Sequence, residues 1–104
     1  MIAVSAAAVM LSACAPTVVP AGGAVQTPRL TEDRNDAADG TSLPLSIWPA
    51  ANGAPQAVIL ALHGFGDYRM AWEEPAGLWS GADITTYAYD QRGFGGSPTR
   101  GRWA

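Results

Sequence analysis

Lysine is absent from the chain, cysteine and histidine occur once each, and no charged residue precedes Arg29. Six Arg stand against nine acidic residues, a net charge of −3, so the basic surplus that a sequence-independent grip on nucleic acid needs is missing. One Cys excludes an internal disulfide framework, and one Cys with one His excludes a Cys/His zinc centre. The glycines do not assemble a nucleotide cradle either. Gly64-Phe65-Gly66 runs on to Arg69, Gly93-Phe94-Gly95 runs on to Pro98, and neither completes G-x-G-x-x-G. There is no Walker A motif, no internal repeat and no heptad pattern. Neither a metal nor a cofactor is expected, nor a nucleic-acid partner. No G-x-S-x-G occurs, so the strained turn that presents a nucleophilic serine is also missing from these residues.

What is present divides at the first charge. Residues 1–13 (MIAVSAAAVMLSA) are apolar or small. They are too few to span a bilayer, which takes roughly 20. A short apolar core followed by small residues is the pattern of a secretory signal, here without a preceding positive charge. Its end, Leu11-Ser12-Ala13-Cys14, resembles the bacterial lipobox. That resemblance implies loss of residues 1–13 and a diacylglyceryl group on the Cys14 thiol, hence a lipid-anchored protein of the bacterial cell envelope, periplasmic or outer-facing. Residues 14–30 are uncharged up to Arg29 and rich in Pro, Gly, Ala and Thr, a composition expected to remain a flexible tether.

The folded part is expected over 31–104. Residues 41–48 (TSLPLSIW) partly alternate, with Leu43, Leu45 and Ile47 on one side, and Pro44 suggests a sheet edge because it donates no ladder bond. Asn52-Gly53 is a hairpin signal. Residues 57–62 (AVILAL) form an unbroken apolar run, suited to a strand covered on both faces. Trp72, Ala76 and Trp79 fall on one helical face, with Glu73 and Glu74 in the first turn, Pro75 tolerated there and Gly81 as a stop. The β-branched and aromatic run 84–89 (ITTYAY) reads as another strand. Strand, helix and strand within about 30 residues make a βαβ unit, so the fold class is α/β, an antiparallel hairpin leading into a mainly parallel sheet.

Two loops narrow this. His63-Gly64-Phe65-Gly66 directly follows one strand and resembles the HGxG element of α/β-hydrolases. Asp90-Gln91-Arg92-Gly93-Phe94-Gly95-Gly96-Ser97 follows the next strand and is similar to their D-x-x-G-x-G-x-S loop. The wording of both runs looks most like bacterial relatives of lysophospholipases and monoacylglycerol lipases. Such domains usually run to about 200–250 residues, so 31–104 is expected to be an amino-terminal part, truncated before the rest. The resemblance implies a membrane-anchored serine ester hydrolase acting on lipid-like acyl esters. These 104 residues would then supply the oxyanion loop without the nucleophile, and would be inactive alone.

By the same resemblance, the backbone N–H of Phe65 is an oxyanion donor, on a loop made with His63, Gly64 and Gly66. Asp90, Arg92, Gly93, Gly95 and Ser97 fix the second loop as architecture. A triad of His63, Asp90 and Ser97 is the less favoured reading, because Ser97 sits in a Gly-Gly-Ser-Pro turn and the family's catalytic His comes late in the domain. Two alternatives stay open: an Asp-nucleophile α/β-hydrolase of the epoxide hydrolase type, and a non-catalytic lipoprotein module of the same fold. The anchor is tested directly by mass spectrometry of the protein and its Cys14→Ser variant. The diacylglyceryl mass should be present on the first and absent from the second.

Overall fold

Three runs rich in apolar or β-branched residues, together with two short segments bearing charge, become the five strands of one sheet. The structure, a computed structural model, describes residues 17–102. The leader expected over 1–13 and the lipidation site at Cys14 lie outside the described residues. The strands are β1 (Arg29–Leu30), β2 (Arg34–Asp36), β3 (Ser42–Trp48), β4 (Ala57–Ala61) and β5 (Ile84–Tyr89). Between β4 and β5 a 3₁₀ turn, Arg69–Trp72, leads into α1 (Glu73–Gly81). Pro75 falls in the first turn of α1, where no intrahelical N–H bond is lost. The carboxylates of Glu73 and Glu74 sit at the same end, opposing the helix dipole.

The strand order is β1-β2-β3-β5-β4, with β4 and β5 parallel and the remaining neighbours antiparallel. This is the mixed sheet of the amino-terminal portion of an α/β-hydrolase fold, an antiparallel hairpin followed by a βαβ unit. The hairpin, however, is β2–β3, closed around Asp39-Gly40, and not a pairing of β3 with β4 through Asn52-Gly53. β5 occupies the place between those two strands. The Asn52 amide instead donates to the Asp83 carboxylate at 2.8 Å, and the Gln56 N–H donates to the Asp83 carbonyl at 2.8 Å. The turn chemistry of Asn52-Gly53 is thus used to carry the chain across the start of β5.

Pro44 also sits differently from the expected edge. β3 has β2 on one side and β5 on the other. The Leu45 N–H points to the β2 side, bonding the Asp33 carbonyl at 2.9 Å, whereas the Pro44 carbonyl points to the β5 side and accepts the Asp90 N–H at 2.9 Å. The nitrogen of Pro44 shares the side of its carbonyl, at the level where β5 has already turned into its loop. The missing donor therefore falls where the ladder stops.

Paired residues share a face of the sheet. One face carries Ser46, Thr86 and Ala88 and is covered by the 3₁₀ turn and α1; Thr86, Ala88 and Ala76 are fully buried. The other face carries Leu45, Tyr87 and Tyr89 with Val58 and Leu60, the last two 61% and 63% exposed. The run expected to be covered on both faces is therefore half bare among the described residues, and the outer side of β4 pairs with none of them.

The sheet begins at Arg29, two residues ahead of the boundary expected at residue 31. The chain before it is also held. Val25 and Gln26 donate their N–H groups to the Ala38 carbonyl, the Gln26 amide donates to the Ala37 carbonyl, and the Gly22 N–H donates to Asp39 Oδ2 at 3.0 Å. Composition argued for a tether here, but the turn after β2 offers carbonyls and a carboxylate that these donors satisfy.

Asp39 also accepts from the Arg92 guanidinium at 2.8 Å and from the Thr41 N–H at 3.1 Å. The Arg92 bond above all, then the backbone donors, holds its carboxyl well below the usual carboxylate range. A lowered folded-state value means that the unfolded chain binds the proton more readily. The stabilisation is therefore present above the unfolded value near 4 and declines as pH falls below about 4. Denaturation midpoints should accordingly separate wild type from Asp39→Asn at neutral pH and begin to draw together only as pH falls below about 4.

Candidate functional site

Two loops leave the carboxyl ends of the parallel strands β4 and β5, the position where open α/β sheets place their ligands. The first is His63-Gly64-Phe65-Gly66-Asp67, the second Asp90 to Ser97. A positive φ of 75° at Gly66 turns the first loop back towards the 3₁₀ turn, a conformation open to glycine at little cost.

Asp90 joins the loops. Its side chain is 0% exposed, and its oxygens accept three N–H donors. Oδ1 takes the Arg69 backbone N–H at 2.8 Å; Oδ2 takes the Gly96 N–H and the Arg69 guanidinium, each at 2.8 Å. Arg69 extends the network through Nε to the Ser46 hydroxyl at 2.9 Å. A buried carboxylate is thereby matched with both charge and hydrogen bonds, which its burial demands. Gly95 has φ 53°, and a Cβ there would fall on the Asp90 carboxylate. The close approach of backbone to carboxylate is what this glycine permits.

His63 is buried and fully engaged. Nδ1 lies 2.8 Å from the Gly64 carbonyl, and Nε2 accepts the Gln91 N–H at 2.9 Å. The backbone donor fixes the tautomer: Nε2 is the acceptor, so Nδ1 carries the proton. The Gln91 side chain returns a bond to the His63 carbonyl at 2.7 Å. The ring also stacks edge-on against Phe94 at 5.4 Å, and Phe94 meets Phe65 in the same manner at 5.5 Å. Both ring nitrogens of His63 are thus engaged, Nε2 tying the two loops together and Nδ1 bracing the first loop internally.

The Ser97 hydroxyl is buried in its own loop, accepting the N–H of Gly93 at 3.2 Å and of Thr99 at 3.4 Å. Among the described residues no hydrogen bond joins His63 to Ser97 or Asp90. The geometry keeps these three residues apart in role, each bracing a loop. Arg92, in addition to Asp39, reaches the Thr41 hydroxyl at 2.8 Å and so ties the second loop to the β2–β3 turn. The contributions of Arg69 and Gln91 were not legible in the sequence. Arg69 is separated from its partner by 21 positions and lies in no motif, and Gln91 acts through its backbone as well as its amide.

Phe65 is 76% exposed and lies where two clefts meet. One, about 770 Å³, runs between Tyr68, Gly95 and Arg100. The other, about 540 Å³, runs from His63 and Phe94 to Ala37 and Leu43. Aromatic rings line both, with backbone amides of a glycine-rich loop between them, an arrangement suited to an apolar ligand carrying one polar, oxygen-bearing group. Among the described residues no group of three His, Cys, Asp or Glu side chains is placed to hold a metal.

The chain matches the family model described as serine aminopeptidase, S33, over residues 53–104. It is also similar to the crystal structure of a soluble variant of monoglyceride lipase from Saccharomyces cerevisiae in complex with a substrate analog. The likeness has 30% sequence identity and a TM-score of 0.54, and covers 80% of this chain and 27% of that one. The chain therefore spans about a quarter of that structure. No curated protein matches it.

The Asp90 network has a measurable weight. Arg69→Met leaves a buried carboxylate without its cation and should destabilise the protein by about 3 kcal/mol, the lower end for a buried pair because the guanidinium is partly exposed. Gly95→Ala should cost more than about 1 kcal/mol through its backbone conformation and its clash with Asp90. Chemical denaturation of the full-length variants reads both.

Proposed function

Because the chain belongs to the serine aminopeptidase S33 family of α/β-hydrolases, we propose that it is part of a serine ester hydrolase acting on lipid-like acyl esters, of the lysophospholipase or monoacylglycerol lipase type. Its share of the chemistry is the oxyanion loop. Acyl transfer builds negative charge on a carbonyl oxygen, and backbone N–H groups fixed in advance stabilise that charge without reorganising. The donor from this chain is the N–H of Phe65. The nucleophilic serine, its acid and its base come from sequence outside these 104 residues.

One observation carries this reading: Phe65 stands at the carboxyl end of β4 on a loop immobilised from both sides. His63 pins one end of that loop to Gln91, and the Arg69–Asp90 pair pins the other. Rigidity of that kind is what electrostatic preorganisation requires. The aromatic lining of the two clefts suits an acyl chain. The similar monoglyceride lipase structure, which holds a substrate analog, points to the same class of substrate.

The anchoring half of the reading is that Cys14 carries lipid and holds the enzyme at the bacterial envelope. Among the described residues no helix is long and apolar enough to cross a membrane. Multiple acyl chains, each methylene contributing about 0.8 kcal/mol on burial, make a firm attachment without one.

The full-length protein should react covalently with a fluorophosphonate at a serine and should hydrolyse monoacylglycerol or lysophospholipid. Phe65→Pro removes the N–H and should lower kcat by about 10²–10³-fold, whereas Phe65→Leu keeps the N–H and should retain most of it. Equal loss in both variants, or the absence of any labelled serine, would overturn the assignment.

A further inference from the structure

The end of the sheet to which the amino-terminal segment is fastened has a functional meaning. Residues 22–26 attach to Ala37, Ala38 and Asp39 through the bonds from Gly22, Val25 and Gln26. That turn precedes the first residues of β3. Because β3 is antiparallel to β5, with Leu45 opposite Tyr89, the turn stands at the carboxyl end of the parallel strands. It shares this end with the two site loops. Ala37 lines the same cleft as His63, Gly64 and Phe65, and Asp39 holds Arg92 of the second loop. The opposite end, with the Asn52-Gly53 turn, is separated from it by the length of β5, roughly 20 Å for six residues.

The reach available before this clasp is short. Gly22 is eight residues after Cys14, a distance of at most about 29 Å even for a fully extended chain. Among the described residues, the end of the sheet that receives the clasp also displays exposed apolar side chains. Phe65 and Tyr68 on the first loop are 76% and 46% exposed, and Val25, on the clasped segment, is 75% exposed.

We propose that residues 22–26 act as an orienting strap: fastened to the Ala37–Asp39 turn, they hold the end of the sheet bearing Phe65 and Tyr68 against a lipid bilayer. The inference rests on the reading of Cys14 as the point of attachment and adds a direction to it. A long flexible tether would let the protein tumble and present any face. A strap clasped beside the site loops leaves only a short leash, and that leash leaves from the site end. An acyl ester would then pass from the bilayer into the clefts beside Phe65 without crossing open water.

The test separates orientation from lipidation. The full-length protein starting at Cys14 is coupled through that thiol to a maleimide derivative of phosphatidylethanolamine. The coupled lipid sits in vesicles of phosphatidylethanolamine and phosphatidylglycerol, and amide hydrogen exchange is compared with the uncoupled protein. Exchange at 64–68 should slow severalfold on the vesicle while exchange at 51–55 is unchanged. A Gly-Ser insertion of about twenty residues after Thr17 adds a root-mean-square reach of about 25 Å and should abolish most of that protection. Equal protection at both ends, stronger protection at 51–55, or protection indifferent to the insertion would overturn the strap. Mass spectrometry of the natively produced protein reads the anchor separately. A Cys14 without diacylglyceryl mass sinks the anchoring reading, whereas the vesicle pattern alone judges the orientation.

Discussion

The site end of this molecule depends on one ion pair, between Asp90 and Arg69. Asp90 directly follows β5 and is withdrawn from water; Arg69 opens the turn that leads into α1. The carboxylate accepts from the backbone of the second loop and of the turn that follows the first, as well as from the guanidinium, so their relative position is set by where its two oxygens point. Removing water from a carboxylate is costly enough that the fold has little choice but to bring all three donors to it. The loop from His63 to Asp67 inherits its rigidity from that requirement. Gly95 is part of the same bargain, giving up a side chain so that backbone can reach the carboxylate.

Local chemistry was readable and distant pairing was not. The β-branched run from Ile84 to Tyr89 is a strand to the residue, and α1 starts and stops where Glu73 and Gly81 indicate. These depend on neighbours within a turn or two of the chain. The strand order depends on which segment takes the centre, and β5 enters between two strands that precede it. Nothing in Asn52-Gly53 distinguishes a turn that closes a hairpin from one that bonds Asp83 across a crossing. Pro44 misled for the same reason, since its donor is expendable only because β5 ends at that level. At the site, the motif loops stood out through their glycines and their places after strands. The Arg69 partnership did not, because a charge pair spanning α1 leaves no periodic trace.

Asp39 shows how a single turn residue comes to organise a larger region. One oxygen faces Gly22, and the other serves Arg92 and Thr41. Through Arg92 it braces the loop that contains Gln91, whose N–H holds His63. The amino-terminal segment and the His63–Asp67 loop are thus linked by a series of charged and hydrogen-bonded contacts, every one of them at the same end of the sheet. Composition alone placed that segment among the unstructured stretches, since it has little apolar surface to bury. Its order comes from hydrogen-bond donors meeting acceptors supplied by the neighbouring turn.

The bare side of β4 carries a consequence of handedness. The connection from β4 through α1 to β5 steps towards β3, with its helix over Thr86 and Ala88. Parallel strands joined by a helix wind almost without exception in the right-handed sense. A further parallel strand reaching the outer side of β4 from β5 must step the opposite way. Chirality then sends its crossover over the other face, above Val58, Leu60 and Tyr87. The apolar face and the backbone edge left bare among the described residues are therefore complementary to the same winding unit, one to its helix and one to its strand. Such a strand would finish alongside the turn that holds Phe65.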